Sequence, residues 1–149
     1  MIGVALVPYS LLADLALGPR GLVDDPTPAT AALLSLLTDR RAGPNDQLPD
    51  PNATDRRGWC GDALAWVDGD QFGSRLWLLS RAKQTEETRC LAIDYAQEAL
   101  AWMITDGAAT AVAVQAAWAQ RGWLALTVTI TLPGGGQIVT PLQIPIGGS

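Results

Sequence analysis

The chain has 149 residues, with 15 acidic and 10 basic side chains, two cysteines, six tryptophans and no histidine. That length suits one domain with one core, and 48% hydrophobic against 17% charged residues is a globular composition, not a disordered one. A net charge of -5 and a pI near 4.5 speak against nucleic acid or an anionic membrane as partner, while the lack of histidine removes Ser-His and Cys-His nucleophiles, His-ligated zinc and the commonest general base.

The charges are unevenly spread, because residues 107–149 carry only Arg121. Such a stretch reads either as a well-buried sheet or as a sheet that meets other subunits. The apolar start, Met1 to Val7, has no basic flank and is interrupted by Pro8 and Asp14, which makes a poor signal peptide. Pro133, Pro141 and Pro145 and three glycines likewise break the uncharged C-terminal stretch as a membrane span. The expectation is a soluble protein that is not secreted. Cys60 and Cys90, thirty residues apart and without a CxxC pattern, read as reduced thiols and not as a metal or redox pair.

In chain order, residues 1–24 read as a strand-like arm, with a turn at Gly18-Pro19-Arg20-Gly21 between Leu17 and Leu22. Thr27 as N-cap and Pro28 at the first helical position start a helix, whose Leu33, Leu34, Leu36 and Leu37 form a wide apolar face. It should end near Thr38-Asp39-Arg40-Arg41, before Gly43-Pro44. Residues 42–70, with three prolines, four glycines and eight Asp or Asn, form a long loop. Its Trp59 and Trp66 imply that it is pinned to something, since disordered linkers are poor in tryptophan. Phe72 to Leu79 reads as a short helix capped by Ser74, with a strand as the alternative.

The next helix is the clearest element. Thr85 caps it, Glu86 and Glu87 suit the positive end of the helix dipole, and Gly107 follows its end. Leu91, Tyr95, Ala99 and Trp102 form its core stripe, flanked by Ala92, Ala96 and Met103. Residues 108–146 then read as a sheet of three strands. Val112, Val114 and Trp118, then Leu124, Leu126, Val128, Ile130 and Leu132, alternate with Ala and Thr. Turns at Gln120-Arg121-Gly122 and Pro133-Gly134-Gly135-Gly136 join them, and Pro141 puts the last strand, 137–144, at an edge or bulge. The fold class is α+β: two to three helices packed on one face of an antiparallel β-meander, in a single domain over 1–149.

Catalytic and ligand motifs are missing. Asp24-Asp25 read as solvated capping residues, and Asp62, Asp68 and Asp70 lack the closing Glu and the spacing of a calcium loop. The triple glycine precedes a strand, where a phosphate cradle needs a helix. No cofactor and no metal are expected. The arginines say more: Arg40, Arg41, Arg56, Arg57, Arg75 and Arg81 crowd one third of the chain. They either pair with the many local Asp residues or, with tryptophan, anchor a partner.

The order of landmarks resembles a known family. Leu37-Thr38-Asp39-Arg40-Arg41-Ala42 follows a leucine-rich helix, then come Asp55-Arg56-Arg57-Gly58-Trp59-Cys60-Gly61-Asp62, Gly73-Ser74-Arg75-Leu76-Trp77-Leu78-Leu79 and Tyr95-Ala96-Gln97-Glu98-Ala99-Leu100. From about residue 4 to 132 the chain is similar to the phage Mu-like tail baseplate protein family, related to the short wedge proteins that initiate the sheath in contractile tails. The resemblance implies a non-enzymatic structural protein of the virion tail baseplate, assembled in the host bacterial cytoplasm. Its implied partners are other wedge proteins, tail sheath subunits and tube or hub proteins, with no nucleic acid and no membrane. In the wider family a Glu-Pro-Arg-like loop after the first helix packs on the wedge core. Here that place reads Asp39-Arg40-Arg41-Ala42-Gly43-Pro44, so the implied wedge contacts are Arg40, Arg41, Arg56, Arg57 and Trp59. Ile138, Thr140, Leu142 and Ile144, on the last strand, are the implied sheath contacts through edge pairing. The alternative is a tail-associated peptidoglycan-degrading enzyme, for which the sequence supplies no catalytic carboxylate pair.

Overall fold

The computed structural model describes residues 4–6, 13–15, 17–19, 21–22, 28–64 and 69–147. Two short antiparallel pairs lie in the first 22 residues, β1 (Val4–Leu6) with β2 (Ala13–Leu15) and β3 (Leu17–Gly18) with β4 (Gly21–Leu22). The second closes the turn expected between Leu17 and Leu22.

Helix α1 spans Ala29–Leu37, with Pro28 in the capping position and no side-chain cap bond. The expected cap, Thr27, and the aspartates 24 and 25 lie outside the described residues, as do Trp66 and Asp68. The helix stops because Thr38 turns extended and the chain pairs with residue 74 instead. Arg40 N–H donates to the Ser74 carbonyl (3.0 Å) and Ser74 N–H to the Thr38 carbonyl (2.8 Å). Gly73 makes this possible: at φ 107°, a Cβ there would sit 2.5 Å from the Thr38 oxygen.

The open choice at residues 72–79 resolves as a 3-10 turn, Leu76–Leu79, which buries Leu76, Leu78 and Leu79. A second 3-10 turn, Cys60–Leu64, lies in the long loop. Helix α2 spans Glu86–Thr105, and Thr85 Oγ1 accepts from Thr88 N–H at 3.2 Å as the sequence predicts. Its deepest line is Ala92, Ala96, Ala99, Leu100 and Met103, while Leu91, Tyr95 and Trp102 flank it half-buried. The stripe is thus rotated from the one expected. Alanines on the contact line let the helix approach the sheet closely, and the large side chains fill its sides.

The sheet has strand order β5-β6-β7: β5 (Ala111–Gln120), β6 (Trp123–Thr131) and β7 (Gln137–Pro145), all antiparallel. The register sets Ala116 opposite Leu126 and Leu126 opposite Leu142, with one irregularity between Trp118 and Gln120. Leu124, Leu126, Val128 and Ile130 of the central strand are fully buried. They share the core with α2, while Ala, Thr, Gln and Pro side chains, with Val139 and Trp123, occupy the outer face. Among the described residues, that outer face carries no charged side chain between Ala111 and Ala119 or between Trp123 and Pro145.

Candidate interaction surface

The long loop is pinned, and the pin is Arg75. Its guanidinium donates to both carboxylate oxygens of Asp46 at 3.0 Å and to Glu98 Oε2 at 2.6 and 3.0 Å, and it lies 4.6 Å from the centre of the Tyr95 ring. Arg40 adds a 3.4 Å contact to the other Glu98 oxygen. Burial alone would raise the Asp46 carboxyl. The Gly43 N–H and Arg75, with Arg56 further off, outweigh it and hold the group below its usual range. For Arg75, burial acts downward but Glu98 and Asp46 together keep its pKa above the usual value. Tyr95 is pushed up, by burial first. A general acid needs a raised carboxyl, and Asp46 moves the other way.

Arg56 braces the same loop from beneath. Its guanidinium donates to the Gly43 carbonyl and at 3.4 Å to those of Pro44 and Asp46, while its own carbonyl accepts from Ala42 N–H (2.9 Å). Arg40 is engaged at backbone and side chain, and its carbonyl accepts the Trp77 indole N–H at 2.8 Å. Arg40 and Arg56, both expected as partner contacts, thus also brace the chain internally. The reason is local: each lies beside carbonyls or a carboxylate that burial would otherwise leave unpaired.

Arg57, Arg41 and Trp59 are at the surface. Arg57, at φ 55°, pairs with Asp39 at 2.6 Å and covers the Trp77 ring at 4.5 Å. Trp59 is 47% exposed and tilts against Phe72 with ring centres 5.3 Å apart. Asp62 accepts from Phe72 N–H (2.9 Å), a bracing bond where a calcium loop would need a ligand. Cys60 and Cys90 are free and exposed.

On the last strand, Thr140, Leu142 and Ile144 are buried and Ile138 packs half-buried against the core, so these side chains turn inward. With a period of two, the strand cannot offer both its core residues and its outer ones. The outer set is Val139, Pro141, Gln143 and Pro145, with Val139 60% exposed. The hydrogen bonds from Leu132 N–H to Gly136 O (2.7 Å) and from Ile146 N–H to Gly122 O (2.9 Å) give the phase of the ladder. Even-numbered residues of β7 exchange bonds with β6, so the backbone groups of the odd-numbered ones point out from the free edge. Pro141 and Pro145 fall on these odd positions, where no amide is needed.

Arg57 and Ile144, expected on two separate surfaces, line one hollow of about 340 Å³ together with Asp39, Trp77 and Pro145. The β7 edge thus runs directly into the arginine–tryptophan surface. Sequence reasoning did not single out Arg75, Asp46, Glu98 or Trp77 as a cluster. A lone arginine inside the apolar run from Phe72 to Leu79 was the available signal, since such a charge has to find partners.

Fold and surface together define a small α+β protein with a braced arginine–tryptophan surface and one open sheet edge. Residues 28–137 match the family described as Phage protein GP46. The chain is 41% identical over 148 residues, 99% of both chains, to the Baseplate protein gp46 of Escherichia phage Mu. It is also 38% identical over 135 residues to the Mu-like prophage FluMu protein gp46 of Haemophilus influenzae, covering 91% of this chain and 90% of the relative. This chain belongs to the GP46 family of phage proteins.

Proposed function

We propose that this chain is a structural subunit of a contractile-tail baseplate. It is assembled in the host bacterial cytoplasm, joins wedge proteins around the tube and starts the sheath by sheet-edge pairing. The observation that carries this reading is its 41% identity, over nearly the full length of both chains, to a protein named for the baseplate. The surface supports it physically. Arg41, Arg57 and Trp59 present the residue types that anchor interfaces, and the β7 edge presents the carbonyls of its odd-numbered residues and the amides of Gln137, Val139 and Gln143 to an incoming strand. Backbone pairing of that kind tolerates sequence change while fixing register.

Val139→Pro tests the sheath contact. It removes an outward amide and leaves the bonds to β6 intact, as Pro141 already does. The isolated variant should melt within a few degrees of wild type, while sheath fails to polymerise on complemented particles. Normal sheath on V139P particles would refute edge pairing. For the wedge contact, Arg41→Ala with Arg57→Ala should stop incorporation into baseplates without unfolding the protein. Normal incorporation would refute that surface.

A further inference from the structure

Among the described residues, five cations are engaged within the chain. Arg40, Arg57, Arg75 and Arg89 pair with carboxylates, and Arg56 with backbone carbonyls. Arg81, Lys83 and Arg121 form no ion pair among the described residues, and all three line one cleft of about 740 Å³. Among the described residues no carboxylate lines it. In a protein of net charge -5, three cations without an ion pair among the described residues thus gather around one cleft, and the single charge of residues 107–149 is among them; Arg41, also exposed, lies elsewhere.

The cleft is built by backbone, not by loose side chains. Arg121 sits on the β5–β6 turn, which is tied to the end of β7 by the bond from Ile146 N–H to Gly122 O. Gly147, at φ 81°, packs on the Ala82 carbonyl so closely that a Cβ there would lie 3.2 Å from that oxygen. Ala82 N–H donates to Leu79 O at 3.0 Å, and Thr85 N–H to Lys83 O at 2.9 Å. Three like charges are therefore held around one opening, beside the half-buried ring of Trp123. Like charges kept together without a counter-charge repel one another, and a bound anion relieves that.

We propose that this cleft docks an extended, carboxylate-rich segment of a different tail protein, with an apolar side chain of that segment against Trp123. The proposal rests on the baseplate reading above. Arginine suits carboxylates through its paired donors, and the three cations match a short run of Asp or Glu. A nucleic acid fits less well, because three cations release few counterions and the net charge of the chain is -5.

Lys83 is the only lysine of the chain, which makes it a specific reporter. Purified tails treated with a carbodiimide should yield an amide bond between Lys83 and an Asp or Glu of another tail protein, found by mass spectrometry. If the chain is present in tails but Lys83 stays unlinked, or links only to its own chain or a second copy, the cleft proposal falls and the baseplate reading stands. If the chain is absent from tails, both fall. Arg81→Gln with Lys83→Gln and Arg121→Gln should leave the melting of the isolated protein unchanged and lower its incorporation roughly tenfold or more. Incorporation equal to wild type overturns the proposal. So does a labelled single-stranded oligonucleotide that binds wild type but not the triple variant.

Discussion

Arg75 stands between Asp46 of the long loop and Glu98 of α2, so one side chain ties three parts of the chain together. Each partner is partly buried, and removing the guanidinium leaves two carboxylates with only the weaker contacts of Arg40 to Glu98 and the more distant Arg56 to Asp46. Arg75→Met should therefore cost about 2–3 kcal/mol in urea unfolding, a charged hydrogen-bond loss already discounted for the water that still reaches the group. Arg75→Lys should recover only part of this, because an ammonium cannot serve two carboxylates with parallel donors. Asp46 gives the cluster an acid dependence of defined sign. Its folded pKa lies below its unfolded value of about 3.9, so its contribution is complete above that pH and disappears as pH falls through the folded value. Asp46→Asn should be less stable than wild type at pH 6 by about 1 kcal/mol, and the gap should shrink by pH 3. A gap independent of pH would show that shape, not charge, is the contribution of Asp46.

Elements were legible in the sequence where periodicity carried them. Helix α2 begins at Glu86 after its Thr85 cap, and Thr85→Ala should cost about 1 kcal/mol, with Thr85→Asp restoring most of it. Urea midpoints of the three proteins check this. The alternation at 124–132 gave β6 its inward face, and Pro141 its neighbour an edge position. What spacing could not give was partnership. Arg40, Arg56 and Arg57 look the same in sequence as Arg41, yet those three face carboxylate or carbonyl oxygens that folding brings from residues 39, 43–46 and 98. Ile138, Thr140, Leu142 and Ile144 are expected at the edge from their place on the last strand, but alternation along a strand turns every second side chain to the core, and these four are the inward set. Gly73 shows the same gap between pattern and contact. Nothing in its neighbours announces that the Thr38 oxygen will lie 2.5 Å from where a Cβ would be. Gly73→Ala should break the bridge between residues 39 and 74, lowering stability by about 2 kcal/mol or more and loosening the long loop to proteolysis.

On the scale of the whole molecule, the two outer strands end their sheet differently. In β5 the outward groups belong to even-numbered residues, and the Ala116 carbonyl already accepts from Arg89 Nη1 at 3.0 Å. Glu86 holds that arginine in place through two hydrogen bonds, and the pairing keeps the Glu86 carboxyl below its usual range. The β7 edge has no such charged guard among its outward residues, only Pro141 and Pro145. A charged guard on one edge and a mostly open ladder on the other make the sheet extendable in one direction. That asymmetry separates ordered addition of a partner strand from open-ended stacking of copies. Arg89→Ala should therefore free the Ala116 carbonyl, create a second open edge and increase self-association of the isolated protein. Sedimentation velocity over a concentration series is the measurement. Val139→Pro placed in the same background should reverse most of the gain, because a stack needs both edges. If R89A sediments as wild type at every concentration, the guard role of Arg89 is wrong and its bond to Ala116 only braces α2 on the sheet.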